Sequence, residues 1–264
     1  MGVVDIVAGL QTWPEVETVV QGGSRITGVA DADSDIDLYV YSRAEVPVSA
    51  RRAFIEARSS CSEVDNQTWE TGDEWKERAS GEAVDVMYRN CNWIEGEMER
   101  VLVQHQSSLG YTTALWHNVL TAEVLFDRNG WYTKLQRRVR VPFPKELRDA
   151  IVRHNYPLLR DRQSSFTKQI VGAAKRKDAI ALNHRIAAFL ASYFDVLFAV
   201  NGKPHPGEKR LLLHARQLNH FPPNLPVQLA DLFSAASNCD DVVLAARLAE
   251  IVLELKPILS QTAL

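Results

Sequence analysis

Asp35 and Asp37 stand two residues apart at the head of the run Ile36-Asp37-Leu38-Tyr39-Val40-Tyr41. In an extended chain residues i and i+2 share a face, so the two carboxylates lie side by side while Ile36 and Leu38 turn towards a core. Such a pair repels itself unless a cation intervenes. Magnesium suits the role, because this hard ion prefers carboxylate oxygen and holds a substrate phosphate at the same time. The bland reading is a solvated turn or a helix cap, where Asp is common. Gly22-Gly23-Ser24 upstream and the β-forming run downstream favour chemistry. A Gly-Gly-Ser turn lets a triphosphate approach the main chain, with backbone N–H groups and the Ser24 hydroxyl as donors. A helical turn beginning after Gly23 would strengthen that anion site, and Ser24 as its N-cap uses the same geometry. No G-x-x-x-x-G-K-[ST] run occurs, so this is not a P-loop.

Strands must position these groups. The β-branched run within 15–21 predicts a strand ending at Gly22-Gly23, and 36–41 predicts a second. A helix is expected over 48–58, a third strand over 83–88, a helix over 92–105 and an edge strand at Val124-Leu125-Phe126. The short link between the first two strands disfavours a parallel crossover, which implies a mixed α+β sheet. Val141-Pro142-Phe143-Pro144 interrupts both helix and sheet pairing and is the expected boundary. It divides a catalytic domain over 1–141 from a helical domain over 142–264. In the latter, helices are expected over 145–156, 163–174, 178–200, 207–219, 225–236 and 240–259. The expected fold class is α+β: a mixed sheet flanked by helices, then an all-α bundle.

Composition narrows the chemistry further. Cys61, Cys91 and Cys239 are odd in number and lack CxxC spacing, which fits a reducing compartment and offers no zinc site. No targeting segment is visible, and the apolar stretch 186–200, broken by Ser192 and Asp195, is too short to span a bilayer. A cytoplasmic protein without membrane partners is expected. Residues 1–100 carry 9 Lys and Arg against 20 Asp and Glu, whereas the remainder carries 21 against 13. One part can therefore hold cations while the other meets anions. Lys175-Arg176-Lys177 lacks interleaved aromatics and reads as a solvated charge run rather than a nucleic-acid patch. His117, His184 and His205 show no ligand spacing.

Gly23-Ser24, a spacer of ten residues and Asp35-Ile36-Asp37 resemble the motif of the DNA polymerase beta-type nucleotidyltransferase superfamily. That family places a third acidic residue on a later neighbouring strand. Asp85, within Ala83-Val84-Asp85-Val86-Met87-Tyr88, takes this place by resemblance, with Glu82 as a nearby substitute. More narrowly, the chain resembles small bacterial members that include antibiotic adenylyltransferases, in which helices follow the catalytic domain. Their Gly-Ser-Arg-Ala-Arg-Gly run appears as Gly23-Ser24-Arg25-Ile26-Thr27-Gly28, without the second arginine. Lys209 is the nearest match to a lysine that reaches the triphosphate from the helical domain in that class.

The resemblance implies two Mg2+ ions held by Asp35, Asp37 and Asp85, with Gly23, Ser24, Arg25 and Lys209 around the phosphates of ATP or another nucleoside triphosphate. A nucleoside monophosphate, AMP first among the candidates, would pass to a hydroxylated small acceptor and pyrophosphate would leave. Asp85 could also take the hydroxyl proton. The alternatives are a protein or RNA acceptor, or a regulatory nucleotide-binding module without turnover. The intact acidic trio argues against the module, and the missing second arginine keeps it open.

Overall fold

The computed structural model describes residues 2–23, 35–68 and 70–262. The chain separates into two compact units, Met1–Glu99 with Asn118–Arg140 and Arg100–His117 with Val141–Leu264.

The first unit is built on a six-stranded mixed sheet. Its elements are α1 (Val3–Leu10), β1 (Val16–Gln21), β2 (Ile36–Ser42), α2 (Val48–Glu56), β3 (Ser59–Asn66), β4 (Gly72–Glu77), β5 (Ala83–Asn90), α3 (Cys91–Leu102), α4 (Ala114–Thr121), β6 (Glu123–Asp127) and α5 (Trp131–Val139). Helices α3 and α4 run across the division between the units. The strands lie in the order β3-β4-β5-β2-β1-β6, and β2 with β5 is the parallel pair. One face is apolar: Ile36, Leu38 and Val40 of β2 and Val84 and Val86 of β5 are buried with Ile6 and Leu10 of α1 and Ile55 of α2. The period of two that sinks these residues places Asp37, Tyr39, Asp85 and Met87 on the other face.

The hairpin β3–β4 replaces what reads in the sequence as a link between helix and strand. Ser-Ser-Cys-Ser-Glu-Val-Asp-Asn and Gly-Asp-Glu-Trp-Lys-Glu carry too few β-branched residues to announce strands. Tertiary contacts supply what propensity lacks. Trp75 is buried in the core, Arg58 pairs with Glu77 at 3.0 Å, and the buried Arg51 of α2 donates to Asp73 at 3.1 Å and Asp65 at 2.8 Å. Burial raises the Asp73 pKa, against the hydrogen bonds and the Arg51 charge that lower it. At the opposite edge, Asp127 accepts the Thr18 hydroxyl at 2.8 Å and the Thr133 N–H at 2.9 Å, fixing β6 and α5 onto β1.

The second unit contains α6 (Lys145–Leu159), α7 (Phe166–Lys175), α8 (Ala179–Val200), α9 (Leu211–Ala215), α10 (Leu225–Ser237) and α11 (Asp241–Thr262). The C-terminal half of α8 is buried on all sides, including Asp195. That carboxylate accepts the Thr112 N–H at 3.0 Å, the Thr112 hydroxyl at 2.7 Å and the Asn155 amide at 3.3 Å. Asn155 in turn accepts the Gly110 N–H at 3.1 Å, so a buried polar knot ties Arg100–His117 to α6 and α8. The helix expected over 207–219 contracts to the five residues of α9. Its expected start, Gly207, has a φ of 99° and Arg210 a φ of 53°, both outside the helical range. No helix among the described residues is long and apolar enough to cross a membrane.

Candidate active site

Asp37 and Asp85 are register partners on the parallel strands β2 and β5. Paired residues on neighbouring strands face the same side about 4.8 Å apart, so their carboxylates share the face opposite the apolar core. Both are half-buried. Asp35 lies just before β2 and is exposed. These strands occupy the middle of the sheet rather than an edge.

The end of β1 closes against the pair. The Gly22 N–H donates to the Asp37 carbonyl at 3.0 Å, and Gly23 has a φ of 73°. A Cβ built at Gly23 would overlap the Asp37 carboxylate. Glycine is thus required twice over, for the left-handed backbone and for the space. Ser24 and Arg25 lie outside the described residues.

Further along the same face the floor becomes aromatic and cationic. The Arg89 guanidinium lies 4.1 Å from the Tyr39 ring centre and is gripped by Glu70 through two hydrogen bonds of 2.7 and 2.8 Å. Burial works against the Arg89 charge, but Glu70 raises its pKa above the ordinary value. Arg89 is therefore committed to holding the face together. Tyr41 beyond it packs against Trp131 and Tyr132.

The missed strand β4 adds another acid. Glu74 is the register partner of Asp85, and Glu63 of β3 is the partner of Glu74. Both are exposed. The row Glu63, Glu74, Asp85, Asp37 crosses four strands on one face. The alternation of outward Glu74 and Lys76 with inward Asp73, Trp75 and Glu77 was the available signal, hidden because the inward positions are also charged.

Among the described residues no group of three or more His, Cys, Asp or Glu side chains is arranged to hold a metal ion. Adjacent Asp37 and Asp85 instead fit Mg2+, which takes one or two carboxylates and completes its shell with phosphate oxygens and water. They do not supply the closed four-ligand shell of structural zinc. Burial pushes the Cys91 thiol up to about 12.

Lys209 belongs to the second unit, exposed in the loop between α8 and α9. The loop is anchored by buried His205, whose N–H donates to the Thr113 hydroxyl at 2.8 Å and whose Nδ1 accepts from the Gly207 N–H at 3.0 Å. Burial and nearby His117 lower the His205 pKa to about 4, so the anchor is uncharged at neutral pH.

Residues 5–104 match the model of a family described as the nucleotidyltransferase domain. This segment is similar to nucleotidyltransferase domains. It contains the Gly23 turn, all three aspartates and the acidic row, while Lys209 falls outside it. The chain is also similar to a nucleotidyltransferase-like protein from Exiguobacterium sibiricum, with 13% identity, 98% of this chain and 76% of that one covered, and a TM-score of 0.46. No curated protein matches the chain.

Proposed function

We propose that the protein transfers AMP from ATP to a hydroxyl group of a small, positively charged acceptor in an Mg2+-dependent reaction that releases pyrophosphate. The observation that carries this reading is the register pairing of Asp37 with Asp85 beside the Gly23 backbone. Asp37 and Asp85, with exposed Asp35, would hold Mg2+, which supplies charge neutralisation for the triphosphate and the leaving oxygen. Gly23 receives the phosphates at the end of β1, where the backbone can approach without a side chain in the way, and Ser24 and Arg25 are assigned to the same phosphates by the resemblance. Asp85 accepts the proton of the attacking hydroxyl, and Lys209 is the residue that the resemblance offers for the triphosphate.

The acceptor class follows from the acidic row. Glu74 and Glu63 extend the negative face away from Asp37 on the β4 side of Asp85. A hydroxylated acceptor bearing ammonium groups gains Coulomb attraction there, whereas a polyanion such as RNA is repelled.

The test is incubation of the protein with Mg2+, cell extract and ATP, GTP, CTP or UTP labelled in the α-phosphate. Label from ATP should appear in a small basic compound with matching pyrophosphate release. Label in the RNA or protein fraction would overturn the acceptor assignment, and no transfer from any nucleotide would overturn the enzymatic one.

A further inference from the structure

The run Lys175-Arg176-Lys177 gains a different meaning in three dimensions. Lys168, Gln169 and Gly172 of α7 and Arg176 just past its C-terminus line a cleft of about 230 Å³ with Ala181 and Arg185 of α8. Three cations thus converge on one small depression. The segment around it, residues 160–185, holds seven Lys and Arg but only two acids, Asp161 and Asp178. Asp178 is engaged in capping α8, accepting the Ala181 N–H at 3.0 Å. Lys168 donates to Gln163 at 3.0 Å, and Lys175 meets Asp241 at 4.0 Å. Among the described residues neither Arg176 nor Arg185 has an acidic partner within ion-pair distance.

Uncompensated like charges sharing a cleft repel, and a bound anion reverses the sign of that interaction. Glycine at 172, inside α7, also runs against helix preference, where it costs about 1 kcal/mol relative to Ala. An ideal Cβ there would stand 3.5 Å from an Arg176 guanidinium nitrogen.

We infer that this cleft binds a phosphoryl group, with Arg176 and Arg185 as the principal contacts and Lys168 and Gln169 beside them. Guanidinium groups match phosphate oxygens through paired N–H donors. The volume of about 230 Å³ lies below the roughly 300 Å³ at which pockets enclose drug-sized ligands. It therefore takes the phosphate or diphosphate portion of a ligand and leaves the rest in solvent. The phosphoryl group can belong to a free polyphosphate or to a polynucleotide backbone, and the assignment does not depend on the reaction proposed for the sheet.

Calorimetry of the full chain in EDTA tests it, using inorganic pyrophosphate and a short single-stranded RNA as separate probes. Without divalent cations, Asp35, Asp37 and Asp85 repel both. Pyrophosphate should bind wild type, and about tenfold or more weakly a folded Arg176→Ala/Arg185→Ala double variant. Both arginines are exposed, so circular dichroism should match wild type. RNA bound in preference to pyrophosphate, with the same loss in the double variant, assigns the phosphate to a polynucleotide. Binding of neither probe by wild type, or undiminished binding by the double variant, overturns the inference. Loss of nucleotidyl transfer does not bear on it.

Discussion

Asp37 and Asp85 face each other across the parallel strand pair of an otherwise antiparallel sheet, one residue against the other in register. Parallel pairing requires a crossover, here the 40 residues from 43 to 82 that carry α2, β3 and β4. Two acids distant in sequence thereby become neighbours.

Gly23 cannot be replaced without moving one of them. Gly23→Ala adds a Cβ at a φ of 73° and drives it into the Asp37 carboxylate. We expect a loss of about 1–3 kcal/mol in stability and a fall in transfer rate of roughly a hundredfold as Asp37 shifts. Urea unfolding and a pyrophosphate-release assay measure the two effects, and an unchanged rate in a destabilised protein would separate Gly23 from the site.

Lys209 tests the contribution of the second unit. Lys209→Ala should weaken ATP binding by about 1.5–3 kcal/mol, the worth of a hydrogen bond to a charged group, with acceptor KM unchanged. Nucleotide titration at matched salt reads this. Equal affinities would leave Lys209 an ordinary surface lysine.

Glu74→Gln separates acceptor recognition from chemistry. Its carboxylate is exposed and in register with Asp85, so screening limits the effect to roughly three- to tenfold in acceptor KM at low salt. The KM for ATP should not change. Equal acceptor KM values across salt concentrations would remove Glu74 from the acceptor surface.

Asp195 makes stability depend on pH. Burial raises its folded pKa to about 6 from 3.8, against the lowering effect of the Thr112 hydrogen bonds. The folded state therefore binds more protons than the unfolded state between these values, and stability from this group falls as pH rises through the window from about 4 to 6. The full change is about 3 kcal/mol. Urea midpoints for wild type should decline across that range relative to Asp195→Asn, and parallel profiles would show that the carboxylate is not perturbed.

Much of this arrangement was legible in the sequence. Ile36-Asp37-Leu38-Tyr39-Val40 announces β2 through alternation, and long apolar periods announce α8, α10 and α11. The hairpin β3–β4 was not legible, because its inward positions Asp73 and Glu77 are charged and are neutralised by Arg51 and Arg58 from elsewhere in the chain. Without that hairpin, Glu74 had no face to occupy and the acidic row could not be seen. Asp195 presented the same difficulty: it reads as a break in an apolar run, and only Thr112 and Asn155, 83 and 40 residues away, explain its burial. Local pattern reveals an element when its own side chains stabilise it and conceals it when distant partners do.

The central claim, that Asp37 and Asp85 jointly hold the metal used for nucleotidyl transfer, is tested most directly by the rate of ATP-dependent pyrophosphate release in Asp37→Asn and Asp85→Asn at saturating Mg2+. The amide keeps the shape of the carboxylate and removes its charge, so circular dichroism should match wild type while release falls by about a thousandfold or more in each variant. Folded variants that release pyrophosphate at the wild-type rate would contradict the account.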